Sequence, residues 1–312
     1  MDIRTPARLI KGDLIGIVSP GSPIDDLTSV EKGVSYLERL GYRTVVGNHI
    51  ARRVGYLAGT DEERANDLHL MFADKRVKAI LCVRGGYGSP RLLTLLNYRL
   101  IAHNPKIFVG YSDITALHLA FWSRSRLVTY HGPMLGVDMA GEMDPFAEEA
   151  LWRVLTSPQR RMMLVANGGT AVGLHGGAGT GRLLGGNLSL LVSVLGTPYQ
   201  PDFRRTLLFL EEIGEEPYRV DRMMSQLRNS GILSRAAGVA TGTFTNCTPK
   251  NPAKPSLSVD DILRESAAAA SKPFLAGLPF GHERKTITVP LGIRARIVGE
   301  AGSLELLEPA VA

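Results

Sequence analysis

Two rhythms of apolar and polar positions alternate through the first half of the chain. Largely apolar runs occupy residues 14–20 (LIGIVSP), 78–83 (KAILCV), 107–110 (IFVG) and 126–132 (RLVTYHG), as expected of strands covered on both faces. Between them the spacing is helical. Residues 25–40 carry Leu27, Val30, Val34 and Leu37 before Gly41 ends the run, and a short strand follows at residues 43–46. Thr60 with Glu63 forms a capping box that opens a helix through Phe72. Ser89-Pro90 starts another, with proline at its first position, and ITALHLAFW follows IFVG directly. Repeated βαβ units of this kind predict an α/β fold: a mostly parallel sheet with helices on both faces and sites at the carboxyl ends of its strands. The loops at those ends are distinctive, being Ser19-Pro20-Gly21-Ser22, Arg84-Gly85-Gly86-Tyr87-Gly88 and Gly110-Tyr111-Ser112-Asp113.

Between about residues 141 and 181 the rhythm weakens, and ANGGTAVGLHGGAGTG is glycine-rich, which suits a crossing between domains. A chain of 312 residues is long enough for two cores. The boundary is placed near residue 160, giving domains 1–160 and 161–312. The second is more mixed, with a helix from Asn187, strand TLLFLEE, a helix over residues 218–227, strand GVATGTF and a helix capped by Ser258. TITVPLGIRARIVGEAGSLELLE alternates at period two around a glycine-containing turn, as a hairpin does. An α+β domain with antiparallel strands is the expectation.

Composition narrows the class. With 44% apolar and 21% charged residues the chain reads as globular. Its 36 basic and 30 acidic residues give +6, but they are interspersed without a Lys/Arg run, so nucleic acid is not an expected partner. A mild positive field suits a small substrate carrying carboxylates. Cys82 and Cys247 form no C-x-x-C pair and read as thiols of a reducing compartment. The first apolar run is broken by Lys11, Gly12 and Asp13, which predicts neither a signal peptide nor a membrane span. A cytoplasmic protein with no membrane partner is expected.

Ser112 sits on a strand-to-helix corner, where a hydroxyl can be aimed at a substrate as a nucleophile or can cap the helix. A nucleophilic serine needs a base and an acid to orient that base. Of seven histidines, His49, His69, His103 and His118 read as core or surface residues and His175 lies in the glycine-rich crossing. His131 follows a strand near the sheet's carboxyl edge and competes with His282, which follows Pro279 and Gly281 in a loop. For the acid, Glu211 and Glu212 end an apolar strand, so that one carboxylate should face inward and the other outward. The competing view is a solvated acidic loop with Glu215 and Glu216, bridged to Arg219 and Arg222. Backbone N–H groups of Gly85 or Gly86, with that of Asp113, suit an oxyanion site. No P-loop is present, and in GGAGTGRLLGG the dinucleotide register fails because, counted from Gly179, the sixth position is Leu184 and Gly185 falls one late. No metal-ligand spacing occurs, and neither a metal nor a cofactor is expected.

Taken in order, GDLIGIVSPGSP, VRGGYGSPRLL, VGYSDITALH, TYHGPM, GRLLGGNLSLL, LFLEEIGEEPYRVDRM and GLPFGHE span Asp13 to Glu283. This succession resembles the LD-carboxypeptidases, cytoplasmic serine peptidases of peptidoglycan recycling whose relatives include the microcin C self-immunity peptidases. The resemblance implies a triad of Ser112, Glu211 and His282, with Glu212 the competing carboxylate, and oxyanion donors at Gly86 and Asp113. It also implies a flavodoxin-like parallel-sheet N-terminal domain, a mixed α+β C-terminal domain, a site in the cleft and a homodimer. The expected reaction releases the terminal D-alanine of a murein tetrapeptide by hydrolysing an L,D-peptide bond. Gripping the free carboxylate of such a muropeptide calls for a cation, assigned to Arg84 against the reading of that residue as a sheet-edge ion pair. The alternatives are a peptidyl-nucleotide amidase of the same family and a non-catalytic nucleotide-binding protein.

Overall fold

The computed structural model describes residues 2–166 and 171–312, so part of the glycine-rich crossing, residues 167–170, lies outside the described residues. In the first half, β1 (Leu14–Val18), α1 (Thr28–Arg39), β2 (Arg43–Val46), α2 (Asp61–Ala73), β3 (Val77–Cys82), α3 (Tyr98–His103), β4 (Ile107–Gly110), α4 (Thr115–Ser125) and β5 (Thr129–His131) follow one another. The capping box forms as expected: Thr60 Oγ1 accepts the Glu63 N–H at 3.2 Å, and Glu63 Oε2 accepts the Thr60 N–H at 2.9 Å. Ser89-Pro90 opens only a single 3-10 turn, Ser89–Leu92, and α3 starts later, where the Asn97 side chain accepts the Leu100 N–H.

Strands β2-β1-β3-β4-β5 pair in parallel in that spatial order. This is the doubly wound, flavodoxin-like arrangement, in which the chain reverses its direction of progress across the sheet between β1 and β3. The loops after β1, β3 and β4 therefore gather at one edge, around the switch point.

The second half comprises α5 (Pro145–Thr156), β6 (Met162–Val165), β7 (Val172–His175), β8 (Ala178–Asn187), α6 (Leu188–Ser193), β9 (Thr206–Ile213), α7 (Pro217–Asn229), α8 (Ile232–Arg235), β10 (Gly238–Thr245), α9 (Val259–Ala270), β11 (Phe274–Ala276), β12 (Val289–Leu291), β13 (Arg294–Val298) and β14 (Ser303–Leu306). Its eight-stranded sheet runs β6-β14-β13-β8-β9-β10-β11-β7. The expected antiparallel strands occupy both flanks. The centre, β8-β9-β10-β11, is parallel instead, because each successive pair is joined through helices that need a crossover.

The expected hairpin over residues 286–308 divides. Only β13 and β14 form it, while β12 crosses back and pairs antiparallel with β5, Val289 opposite His131. Pro290 explains the placement, since a residue without an N–H is tolerated on an edge strand. The second half of the chain thus completes the first sheet, and a single buried apolar cluster runs through both. Among the described residues no helix is long and apolar enough to cross a membrane.

Candidate active site

Ser112 lies on a left-handed corner with φ 62°, a conformation that costs a non-glycine residue energy and persists only where surroundings enforce it. The corner leads through a 3-10 turn, Ser112–Ile114, into α4. No side chain caps either start, so the capping role open to Ser112 is not the one it plays here. The partly exposed hydroxyl has no hydrogen-bond partner among the described residues.

Asp113, next along, is fully buried. Its carboxylate turns away from its own helix to accept the N–H groups of Gly88 at 3.2 Å and Ser89 at 2.8 Å, and the Ser89 hydroxyl donates to the Asp113 carbonyl. Burial pushes this carboxyl upward against those hydrogen bonds. The serine corner is thereby locked to the loop after β3. Contact is close: a Cβ on Gly85 would lie 3.0 Å from Ser112 Cβ and 3.2 Å from the Asp113 nitrogen, so only glycine brings the loop this near. Gly86 is exposed at φ 91°, and its N–H donates to no group among the described residues.

The acid and histidine come from the second sheet. Glu211 and Glu212 are both buried, at 0% and 2% exposure, which corrects the expectation that one faces outward. Alternation still sends them to opposite faces of β9, but β9 is central in its sheet and both faces are covered. Glu212 is saturated: it accepts Asn187 Nδ2 and the Ile213 N–H on Oε1, at 2.8 and 2.9 Å, and the Ser189 N–H and hydroxyl on Oε2, at 2.8 and 2.5 Å. Glu211 instead meets His282, with Nδ1 and Oε2 2.7 Å apart. Because a carboxylate only accepts, Nδ1 carries the hydrogen, and in the neutral imidazole Nε2 then keeps its lone pair. Burial pushes the Glu211 carboxyl upward, and the His282 hydrogen bond pulls it back.

Gly281 makes this pairing possible. At φ 130° it lets the chain pass over the ends of β9 and β10, where a Cβ would come within 2.4 Å of Thr243 Oγ1. The His282 ring then rests edge-on against Tyr111, centroids 5.0 Å apart, so the Glu211–His282 pair of the second sheet abuts the residue preceding Ser112 in the first. A cavity of about 340 Å³ opens beside His282 and Tyr111, lined also by Asp138, Met143 and Arg284.

Five of the other six histidines have hydrogen-bond partners, His131 being the exception. His131 is 1% exposed, its ring set among Tyr111, Phe209 and Phe280, with neither nitrogen partnered among the described residues; burial pushes it well below the ordinary imidazole range. His118 donates Nε2–H to the Gly110 carbonyl at 2.8 Å, and burial pushes it down to about 4. His49 pairs with Asp67 at 2.8 Å, His69 accepts the Asn97 N–H, and His103 and His175 bond backbone carbonyls. Arg84 reaches the Pro23 carbonyl at 3.3 Å and lies alongside Gly86, forming no ion pair among the described residues. Glu215 and Glu216 are both partly exposed and Glu215 pairs with Arg219 at 3.4 Å, so the acidic-loop reading holds for these two and fails for the buried Glu211 and Glu212.

Sequence reasoning missed Asp138 and Arg64. Asp138 accepts the Met134 N–H at 2.7 Å beside Tyr111 and His282, and Arg64 is buried beneath the Gly86 loop. Neither stands in a pattern that separates it from surface charges.

Comparison with known proteins gives the family of the chain. Residues 15–132 match the LD-carboxypeptidase N-terminal domain and residues 180–297 the LD-carboxypeptidase C-terminal domain. A probable murein peptide carboxypeptidase of Bacillus subtilis is 41% identical over 93% of this chain and 90% of its own. Among solved structures, an MccF-like protein of Bacillus anthracis superposes with TM-score 0.85 at 30% identity over 97% of this chain and 99% of that one. A muramoyltetrapeptide carboxypeptidase from Oxalobacter formigenes superposes at 0.82 and 31% over 94% and 97%. The chain belongs to the LD-carboxypeptidase family.

Proposed function

We propose that this protein is a serine LD-carboxypeptidase that releases the terminal D-alanine of murein tetrapeptides, with Ser112, His282 and Glu211 as its triad. His282 Nε2 takes the Ser112 proton as the hydroxyl attacks the carbonyl, then returns it to the leaving amine, and water hydrolyses the acyl-enzyme. Glu211 fixes the tautomer and stabilises the imidazolium. Amides of Gly86 and Asp113 receive the oxyanion, and Arg84 takes the substrate's free carboxylate. The observation that carries this reading is the 2.7 Å Glu211–His282 contact, made from a different sheet against the residue preceding a strained serine.

A second reading, a peptidyl-nucleotide amidase, draws on the MccF-like neighbour. It is favoured by Tyr56 and Tyr87, an exposed edge-to-face pair 5.6 Å apart beside Gly86, on which a base could stack. Against it, Trp122 is buried and Trp152 stacks on Tyr42. The family resemblance adds a cytoplasmic homodimer, which sedimentation of the purified chain and cell fractionation would test. Incubation with a serine-directed fluorophosphonate, mapped by mass spectrometry, tests the chemistry: the label falls on Ser112, and a protein unlabelled at every serine is a binder rather than a hydrolase.

A further inference from the structure

The loop bearing Gly86 is held from below by a side chain for which the proposed chemistry has no use. Arg64, on α2, is 1% exposed. Its Nη1 donates to the carbonyls of Pro20 and Gly88, the latter at 3.0 Å, and its Nη2 donates to Asp61. Those two carbonyls belong to the loops after β1 and β3, which flank the switch point of the first sheet. Gly88 is therefore gripped at both ends of its backbone, the carbonyl by Arg64 and the N–H by Asp113.

A second clasp lies upstream. The Ser22 N–H donates to the Gly85 carbonyl at 3.0 Å, and its hydroxyl accepts the Tyr87 N–H at 3.0 Å. Between these fixed points the Gly86 N–H has no partner among the described residues, and it lies beside the serine corner. Burying a guanidinium is costly unless its geometry is well matched, and here burial does push Arg64 downward. Only a planar fork reaches both carbonyls and Asp61 together, which a lysine ammonium cannot do.

We propose that Arg64 is a positioning residue of the reaction: by tying the Pro20 and Gly88 carbonyls together it aims the Gly86 N–H at the oxygen that becomes negative when Ser112 attacks. This rests on the serine-peptidase reading above. It acts on the oxyanion donors and leaves the His282–Glu211 pair untouched, which separates it from a general role in folding.

The test compares the full-length protein with Arg64→Met, Arg64→Lys and Ser22→Ala, after confirming that each unfolds cooperatively. For Arg64→Met, kcat for D-alanine release falls by about 100-fold while KM stays within about twofold, the scale of losing or misplacing one oxyanion donor. Fluorophosphonate labelling of Ser112 slows in parallel, and the pH midpoint of kcat does not move. Arg64→Lys recovers part of the loss, and Ser22→Ala shows the same pattern more weakly. A folded Arg64→Met enzyme with unimpaired kcat, a loss confined to KM, or a displaced pH midpoint overturns the proposal. If Arg64→Met does not fold, Arg64→Lys and Ser22→Ala decide by the same criteria. A parent enzyme that releases no D-alanine, or a Ser112→Ala variant that still does, removes the peptidase reading first. Loss on Ser112→Ala with full activity in the Arg64 variants removes only the role of Arg64.

Discussion

Glu211 and Glu212 adjoin in sequence and differ entirely in company. Glu211 faces an imidazole, whereas Glu212 is enclosed by four hydrogen-bond donors. Burial raises the Glu211 carboxyl above its ordinary value, so its ionisation costs the folded state stability that begins to be lost as pH rises past the ordinary carboxylate value and is fully lost above the folded one, with no cost below the ordinary value. Glu211→Gln keeps the shape and removes that cost. Its thermal midpoint at pH 8 is expected to equal or exceed that of the parent, while kcat falls by about 10²- to 10⁴-fold through loss of the tautomer. Retention of full kcat would exclude Glu211 as the orienting acid. At this scale the sequence was readable as far as the pair of carboxylates at a strand end. Which of them meets a histidine depends on register across a sheet whose strands lie far apart in the chain, and no local pattern carries it.

Elements were most legible where their ends carry their own chemistry. Thr60 and Glu63 foretold α2, and Ser258 foretold α9, because a capping box works within four residues of chain. Asn187 likewise caps α6, its side chain accepting the Leu190 N–H at 3.2 Å. The division of the expected hairpin was not legible: residues 286–308 alternate on both sides of the glycine-containing turn, and only tertiary pairing sends β12 to β5. Glu212 belongs to this scale, for it ties the start of α6 to β9. Glu212→Gln puts an amide among donors that need an acceptor, so stability falls by about 2 kcal/mol or more in urea unfolding. Stability equal to that of Glu211→Gln would contradict the distinction drawn between the neighbours.

For the molecule as a whole, the site is a product of two sheets meeting, with His131 at their junction against Phe209 and Phe280. A histidine held neutral by burial is protonated in the unfolded chain near its ordinary value but not in the folded one. Its contribution is thus fully present above about pH 6.5 and lost as pH falls, at ~1.4 kcal/mol per pH unit. His118 acts in the same direction down to about 4. His131→Phe removes one such group and fills an apolar site whose nitrogens bond nothing described. It should be more stable than the parent at pH 7, and its advantage in urea unfolding should widen between pH 6.5 and 5; an unchanged difference would contradict the burial argument. The parallel first sheet was legible from βαβ periodicity, but the closure of that sheet by β12 and the parallel centre of the second were not, since both arise from long-range pairing. The central claim is that the Ser112 oxygen carries the acyl group. It is tested most directly by timing D-alanine release from a murein tetrapeptide with the parent enzyme and Ser112→Ala. Steady release by the parent and none by an equally folded variant is the predicted result, and comparable release by both would contradict it.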